Sequence, residues 1–456
     1  MYEIVATSKT LEIGGGGRPV NRPNMDVRAL PTVDIIHDLS VFPWPIVRED
    51  YDTVIGIYVI EHIAWPLFDA FIKEIERILK PGGKAFFLTS NLEAQAKRII
   101  REGVNMKTVE CLFGTIDYKE NSHAMGFSPS SVKELFKGFD VKVLAPMPDV
   151  VFKGQVIYSG SETDLLIELT KPGKTEYEAA RDGTTRTSGQ PVGISGEFHV
   201  MPGSMSPDQN ISGLYVGLKD MSKQCLNLGS FTVMIRSIDT KEAWVNVDII
   251  NDNRTYGKAM QEGYLFEPMD LRQGIKRENS SIDMINMSHL LEHFTVPEGL
   301  QLLKECYRVL RPGATIRVCV PDTKLLAGAY LERDMERFDR IQPEDYKPCS
   351  QSEKLWRMIT SNPPELMGTP QWEGHKTAYD WQSLFAILGK AGFIDSKKVV
   401  FETKYDTFPE VSLCVTAIKQ KDDFTPPHPV IQGKVNYQVV IPVLDPSIKV
   451  TDNKRW

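Results

Sequence analysis

Several short blocks of this chain hold residues suited to gripping a nucleoside and moving a proton beside it. The apolar segment Leu11-Glu12-Ile13 runs into Gly14, Gly15 and Gly16. A strand that ends in glycines and opens into a helix lets backbone approach a ligand with no Cβ in the way. Asp26 closes the next short segment, and a carboxylate there can bond two ribose hydroxyls. Asp38, followed by Leu39, can accept from an adenine amino group while the leucine covers the ring. Tyr58 ends a further apolar stretch and joins the ligand-facing set, and Glu61-His62 follows at the edge where ligands bind in parallel sheets. His62, and His123 further on, are imidazoles able to take a proton near neutral pH. A Glu-His pair is also a metal-binding pattern, but two ligands with no third assign no metal. Taken singly, each block has an ordinary explanation: a glycine run as a turn, an aspartate at a strand end as a helix cap.

What lifts them above that explanation is recurrence. Leu226-Asn227-Leu228-Gly229, Val245-Asn246-Val247-Asp248, Met269-Asp270-Leu271, His289-Leu290-Leu291-Glu292-His293 and Leu310-Arg311-Pro312-Gly313 repeat the same order. The spacing between copies is 215 residues for Gly14 and Gly229, 222 for Asp26 and Asp248, and 231 for both Glu61–Glu292 and Pro81–Pro312. Drift confined to the early loops suits two copies of one fold, because loops tolerate insertion and packed elements do not. The recurrence reaches further: His123-Ala-Met-Gly-Phe and His375-Lys-Thr-Ala-Tyr each precede a segment of helical spacing.

With these blocks in place, the chain resembles tandem class I S-adenosylmethionine-dependent methyltransferase domains. More narrowly, it is similar to predicted methyltransferases of bacterial surface-polysaccharide gene clusters, through phrases such as Trp244-Val-Asn-Val-Asp and Leu303-Lys-Glu-Cys-Tyr-Arg-Val-Leu-Arg-Pro-Gly. The resemblance implies an α/β fold of two Rossmann-like domains. Each would be a mostly parallel seven-stranded sheet with helices on both faces. It implies S-adenosyl-L-methionine as cofactor, held by Glu12, Gly14, Gly15, Gly16, Asp26, Asp38, Leu39 and Tyr58, and in the second copy by Gly229, Asp248 and Asp270. His62 and His123 would be the catalytic residues, acting on a hydroxyl or amine of a sugar or similar small acceptor. The copies are unequal: Asn227 stands where the first has Glu12, and Phe231 where it has Gly16. A phenylalanine at a close-approach position crowds a cofactor, so catalysis is expected from the first copy. The alternative is a structural or adaptor protein of a larger assembly that keeps the fold for its surfaces.

Composition sets the frame. The 456 residues suffice for two or three domains, and 41% hydrophobic with 25% charged content is ordinary for globular protein. A net charge of −7 argues against nucleic acid as a partner. Six cysteines without C-x-x-C spacing, and no stretch of membrane-spanning length, fit a reduced cytoplasmic protein with no membrane partner.

The positioning elements follow from pattern. Strands are expected at 10–13, 53–60, 84–89, 141–146 and 164–170, and again at 315–320, 397–403 and 411–418. Helices are expected from Pro66 to Leu79, ended by Pro81-Gly82, and from about Pro297 to Leu310. The expected domains are 1–170 and 223–422. Between them lies a Pro/Gly/Ser/Thr-rich linker over 171–222, and after them a tail over 423–456. The tail's core, Val435 to Leu444, reads as an exposed strand able to join a homo-oligomer or larger assembly.

Overall fold

A computed structural model describes residues 1–114, 121–173, 223–230, 234–237, 242–249, 264–334, 336, 351–361, 374–406 and 408–421. Phe231, nearly all of the expected linker and the expected tail lie outside the described residues.

In chain order the first half contains β1 (Tyr2–Ile4), β2 (Thr10–Ile13), β3 (Asn24–Asp26), β4 (Ile35–Ile36), β5 (Tyr51–Ile57), α1 (Trp65–Ile78), β6 (Leu79–Ser90), α2 (Leu92–Glu102), α3 (Met106–Phe113), α4 (Pro129–Leu135), β7 (Asp140–Leu144), β8 (Val150–Phe152), β9 (Gln155–Tyr158) and β10 (Asp164–Thr170). The second half contains β11 (Lys223–Leu228), β12 (Glu242–Asp248), β13 (Leu265–Pro268), β14 (Ile282–Ser288), α5 (Val296–Val309), β15 (Leu310–Pro321), α6 (Thr323–Leu331), α7 (Gln351–Thr360), α8 (Trp381–Lys390), β16 (Phe393–Lys398) and β17 (Ser412–Lys419).

These strands build two seven-stranded sheets of the same order, β4-β3-β2-β5-β6-β10-β7 and β13-β12-β11-β14-β15-β17-β16. In each, six strands run in one direction, and the late strand β10 or β17 lies antiparallel to both its neighbours. Val54 and Ile55 in β5 are both fully buried, as a strand covered on two faces requires. One face of the first sheet packs Leu11, Val54, Phe87 and Ile167 against Phe68, Phe71 and Ile75 of α1 and Val132 of α4. The matching face of the second packs Leu226, Ile285 and Val318 against Leu302, Leu303 and Cys306 of α5 and Leu384 of α8. The α/β fold class is as expected.

The layering differs from expectation in one respect. No helix follows the glycine run: residues 14–23 are irregular from end to end. A crossover of ten residues with four glycines and two prolines has neither the length nor the composition for one. The face such a helix would cover carries a small sheet instead, in which β1 runs parallel to β8 and β8 antiparallel to β9. Ile4, Val150 and Phe152 pack there on Ile55, Phe86, Leu88 and Leu166.

Two boundaries also shift. Helix α1 stops at Ile78, and Gly82, with φ +75°, lies inside β6 rather than capping the helix; its amide donates to the Lys171 carbonyl at 2.9 Å. The strand expected at 397–403 is β16, which begins at Phe393 because the helix before it ends at Lys390.

The halves join through helices. Leu92, Ala96 and Ile99 of α2 and Val109 and Leu112 of α3 form one core with Leu326, Ala327 and Tyr330 of α6 and Leu355, Trp356 and Ile359 of α7. The small residues Ala96, Ala327 and Gly328 at this crossing allow close approach of α2 and α6. No helix among the described residues is long and apolar enough to cross a membrane.

Candidate functional site at the carboxyl edges of the sheets

The edge where β2 and β5 end is organised by one glycine. Gly14 has φ +69°, and a Cβ there would collide with Val59 just beyond β5. Gly229 repeats this with φ +70°, where a Cβ would meet Leu290 at 2.8 Å. In both halves the loop backbone therefore packs directly against the side chain that follows the central strand, Val59 or Leu290, and the two together shape a cradle with no room for a Cβ.

Around the cradle the halves differ. Glu12 is buried in β2, and Oε2 accepts the Asn21 amide at 2.5 Å. Burial pushes its carboxyl up to about 7, against the pull of the Asn21 and Val20 amides and of Lys153. Lys153, in the turn of the small sheet, donates to Asn21 Oδ1 at 2.7 Å and so ties that sheet to the glycine loop. In the second half Asn227 belongs to a buried amide row across three parallel strands. Its Nδ2 donates to Asn246 Oδ1 at 2.9 Å, and Asn286 Nδ2 donates to Asn227 Oδ1 at 2.8 Å. An amide both gives and accepts, so it links neighbours in a dry sheet where a carboxylate would only repel them.

Asp26 and Asp248 stand at the ends of β3 and β12. Asp26 is turned inward: Oδ2 accepts the Gly16 amide at 3.0 Å, and Oδ1 accepts the Arg28 amide at 2.9 Å and Arg28 Nε at 3.1 Å. The Arg28 guanidinium lies where a side chain on Gly16 would go. A ribose diol at Asp26 would have to displace it. The loop amide of Gly15 is likewise committed, to Asn24 Oδ1 at 3.0 Å. Asp38 is exposed and accepts the Ser40 amide and hydroxyl at 2.9 and 2.6 Å. Leu39 is a core residue whose carbonyl holds Trp44 Nε1 at 3.2 Å. Asp270 accepts the Arg272 amide and Nε at 3.1 and 2.9 Å, which outweigh its partial burial and hold its carboxyl below the ordinary range.

After the central strand each half makes the same unusual step. Tyr58 and His289 have φ of +48° and +52°, a backbone region costly for residues with a Cβ. A single 3₁₀ turn follows, Ile60–His62 in one half and Leu291–His293 in the other. The turn's glutamate carbonyl then anchors a distant segment: Glu61 accepts the Ala124 and Met125 amides at 2.7 and 3.0 Å, and Glu292 those of Lys376 and Thr377 at 2.8 and 3.2 Å. These bonds place His123 beside Glu61-His62 and His375 beside Glu292-His293. The ring centroids are 5.1 Å apart for His62–His123 and 4.8 Å for His293–His375. The sequence placed His62 and His123 at one site and missed the second pair, although the repeated His-x-x-x-aromatic phrase was its signal.

The electrostatics separate the pairs. Burial pushes Glu61 up to about 8. Burial would also raise Glu292, but the close approach of His289 and the neighbouring imidazoles of His375 and His293 reverse this and hold it at about 2. Tyr58, in the place of His289, instead donates its hydroxyl to Tyr158 at 2.5 Å. Burial lowers His62, and it drives His123 and His375 down to about 3 with help from the neighbouring imidazoles. These imidazoles are neutral lone-pair donors at physiological pH rather than strong bases.

Residues 228–318 match the family model described as "Methyltransferase domain". No curated protein matches the chain. Among solved structures, the chain is similar to the CurJ carbon methyltransferase at 10% identity, covering 44% of this chain and 50% of that one, TM-score 0.29. It is similar to a putative O-methyltransferase from Nostoc punctiforme at 16% identity, covering 45% of this chain and 55% of that one, TM-score 0.27. It is also similar to a SAM-dependent methyltransferase from Methanosarcina mazei at 16% identity, covering 48% of this chain and 99% of that one, TM-score 0.30. The chain thus spans about half the length of the first two. The strand order and the matched segment are those of Rossmann-like methyltransferases, a class whose cofactor is S-adenosylmethionine. The cradle at Gly229, with Asp248 and Asp270 at the next two strand ends, fits that group. In the first half Asp26 carries the Arg28 guanidinium, as Asp270 carries that of Arg272 in the second.

Proposed function

We propose that this chain transfers a methyl group from S-adenosylmethionine to a hydroxyl or amine of a sugar or similar small acceptor, and that its second half binds the cofactor. The observation that carries the assignment is the family match over residues 228–318, a segment that contains Gly229, Asp248, Asp270, Glu292 and His293. This departs from the sequence expectation, which gave catalysis to the first half on the strength of its fuller glycine run. In this reading the cofactor, when bound, supplies a methyl on a positively charged sulfur. Gly229 lets the backbone approach it, Asp248 bonds the ribose, and Asp270 faces the adenine. Methyl transfer is an in-line displacement, so the protein's main task is positioning. Glu292, His293 and His375 line the place where an acceptor oxygen or nitrogen would lie, and the first half serves as the structural partner on which the second is built.

Calorimetric titration of the full chain with S-adenosylmethionine tests this. Asp248→Ala should weaken binding by about 1.5–3 kcal/mol, the scale for a hydrogen bond to a charged group, while Asp26→Ala changes it less. Loss in Asp26→Ala with none in Asp248→Ala would return the site to the first half.

A further inference from the structure

We propose that each half holds a divalent transition-metal ion on one carboxylate and two imidazoles: Glu61, His62 and His123 in the first, and Glu292, His293 and His375 in the second. In each set the candidate donor atoms all lie within 4.8 Å of one another. Ligands at 2.0–2.2 Å from an ion stand no more than about 4.4 Å apart, so a small inward turn of one side chain closes each set.

Three further observations point the same way. First, the glutamates are 2% and 1% exposed, and neither oxygen of either one has a well-formed hydrogen bond among the described residues. Glu292 Oε1 lies 3.2 Å from His289 Nδ1 and 3.9 Å from His375 Nε2. A buried carboxyl without donors must stay protonated or meet a cation, and a metal ion held by the two adjacent imidazoles supplies one. Second, the imidazoles are oriented from behind. His62 Nδ1 lies 3.1 Å from the Ser122 carbonyl and His375 Nδ1 lies 2.7 Å from the Ile359 carbonyl. A carbonyl only accepts, so the proton sits on Nδ1 and Nε2 is left as the lone pair, as metal-bound histidines require. Third, the arrangement stands at the same place in both halves, although the glycine loops, Glu12 against Asn227 and Tyr58 against His289 have diverged around it.

Two nitrogens and one oxygen suit zinc, cobalt, iron or manganese rather than magnesium, which prefers oxygen throughout. Three protein ligands leave coordination positions open, the pattern of sites that bind a further oxygen. That an acceptor hydroxyl takes such a position rests on the proposed function; the binding of the metal does not.

The full chain, stripped with chelator and dialysed, is titrated with cobalt(II) and followed by its visible absorption and by elemental analysis. The expected result is bound cobalt in the wild type, and in His123→Gln/His375→Gln binding lost or weakened by more than the roughly 10–100-fold that removing even an outer-shell partner costs. Glu61→Gln/Glu292→Gln, which keeps the shape of the buried side chains, should behave the same. No cobalt bound by the wild type overturns the proposal. So does cobalt retained in full by both double variants, which would move it to another cluster such as Cys319, Asp406 and Cys414. S-adenosylmethionine titrations run separately, so failure of one reading leaves the other standing.

Discussion

Asp380 and Val104 are 276 residues apart in sequence and share one hydrogen bond, from the Val104 amide to Asp380 Oδ2 at 2.8 Å. The other carboxylate oxygen caps the helix that Asp380 begins, accepting the Ser383 amide at 2.9 Å. One side chain thus starts α8 in the second half and fixes the corner between α2 and α3 in the first. A counterpart joins α4 to α7, where Ser128 and Ser352 hydroxyls lie 2.5 Å apart.

Asp380→Ala should remove the helix cap, at about 1 kcal/mol, and strand the buried Val104 amide, at about 1–3 kcal/mol. Urea unfolding reads the sum, with Asp380→Asn expected to lie between variant and wild type. A midpoint equal to wild type in the alanine variant would mean the bond contributes nothing to joining the halves.

Trp356 roofs the first half's site from the second half. Its Nε1 donates to the Ala124 carbonyl at 3.1 Å, one residue from His123, and its ring fills the space that a Cβ on Gly126 would take. Trp356→Ala should cost about 3–5 kcal/mol, as large aromatic deletions in cores do, and Gly126→Ala about 1–3 kcal/mol from overpacking. Denaturant unfolding checks both; a neutral Gly126→Ala would show that the ring is free to move aside.

Arg317 and Asp406 form a buried ion pair, with Arg317 Nε donating to Oδ1 at 3.1 Å. Asp406→Ala leaves a buried guanidinium whose other carboxylate neighbour is the half-exposed Glu402, and should destabilise by about 3–5 kcal/mol. Arg317→Met with Asp406→Leu together should recover much of that loss. A double variant as unstable as the single one would rule out charge burial as the cause.

Glu12 ties folding to pH. Its carboxyl is raised from the ordinary 4.5 to about 7 by burial. The folded chain therefore holds this proton more tightly than the unfolded one. Its contribution favours folding below the unfolded value and is lost as pH rises through about 7. Glu12→Gln should remove a slope amounting to about 2–3 kcal/mol between pH 4 and pH 8. Thermal midpoints measured across that range are the check, and parallel profiles for the two proteins would contradict it.

The strands were legible where burial on both faces leaves an uninterrupted apolar run: 164–170 was read as it stands in β10, and the blocks around Gly14 and Gly229 located the first strand of each sheet. What lay hidden was non-local. Val150-Val151-Phe152 is an unremarkable apolar triplet, and only pairing with Tyr2–Ile4 makes it the cover that stands in for a helix. Nothing in sequence reveals that Arg28, two residues after Asp26, folds back over its carboxylate. The third member of each Glu-His cluster lies 61 residues after His62 and 82 after His293. Backbone bonds to the Glu61 and Glu292 carbonyls, invisible to side-chain patterns, bring it home.

Holding both sheets in one polypeptide has an evolutionary consequence. A pair of identical subunits must accept every substitution twice, once at each of its equivalent sites. Here Tyr58 and His289 occupy corresponding positions, and one answers to a tyrosine hydroxyl while the other faces a glutamate. Covalent linkage frees each pocket to specialise on its own mutations, with the other retained as scaffold, and makes a division of labour open to this chain that a symmetric dimer cannot reach.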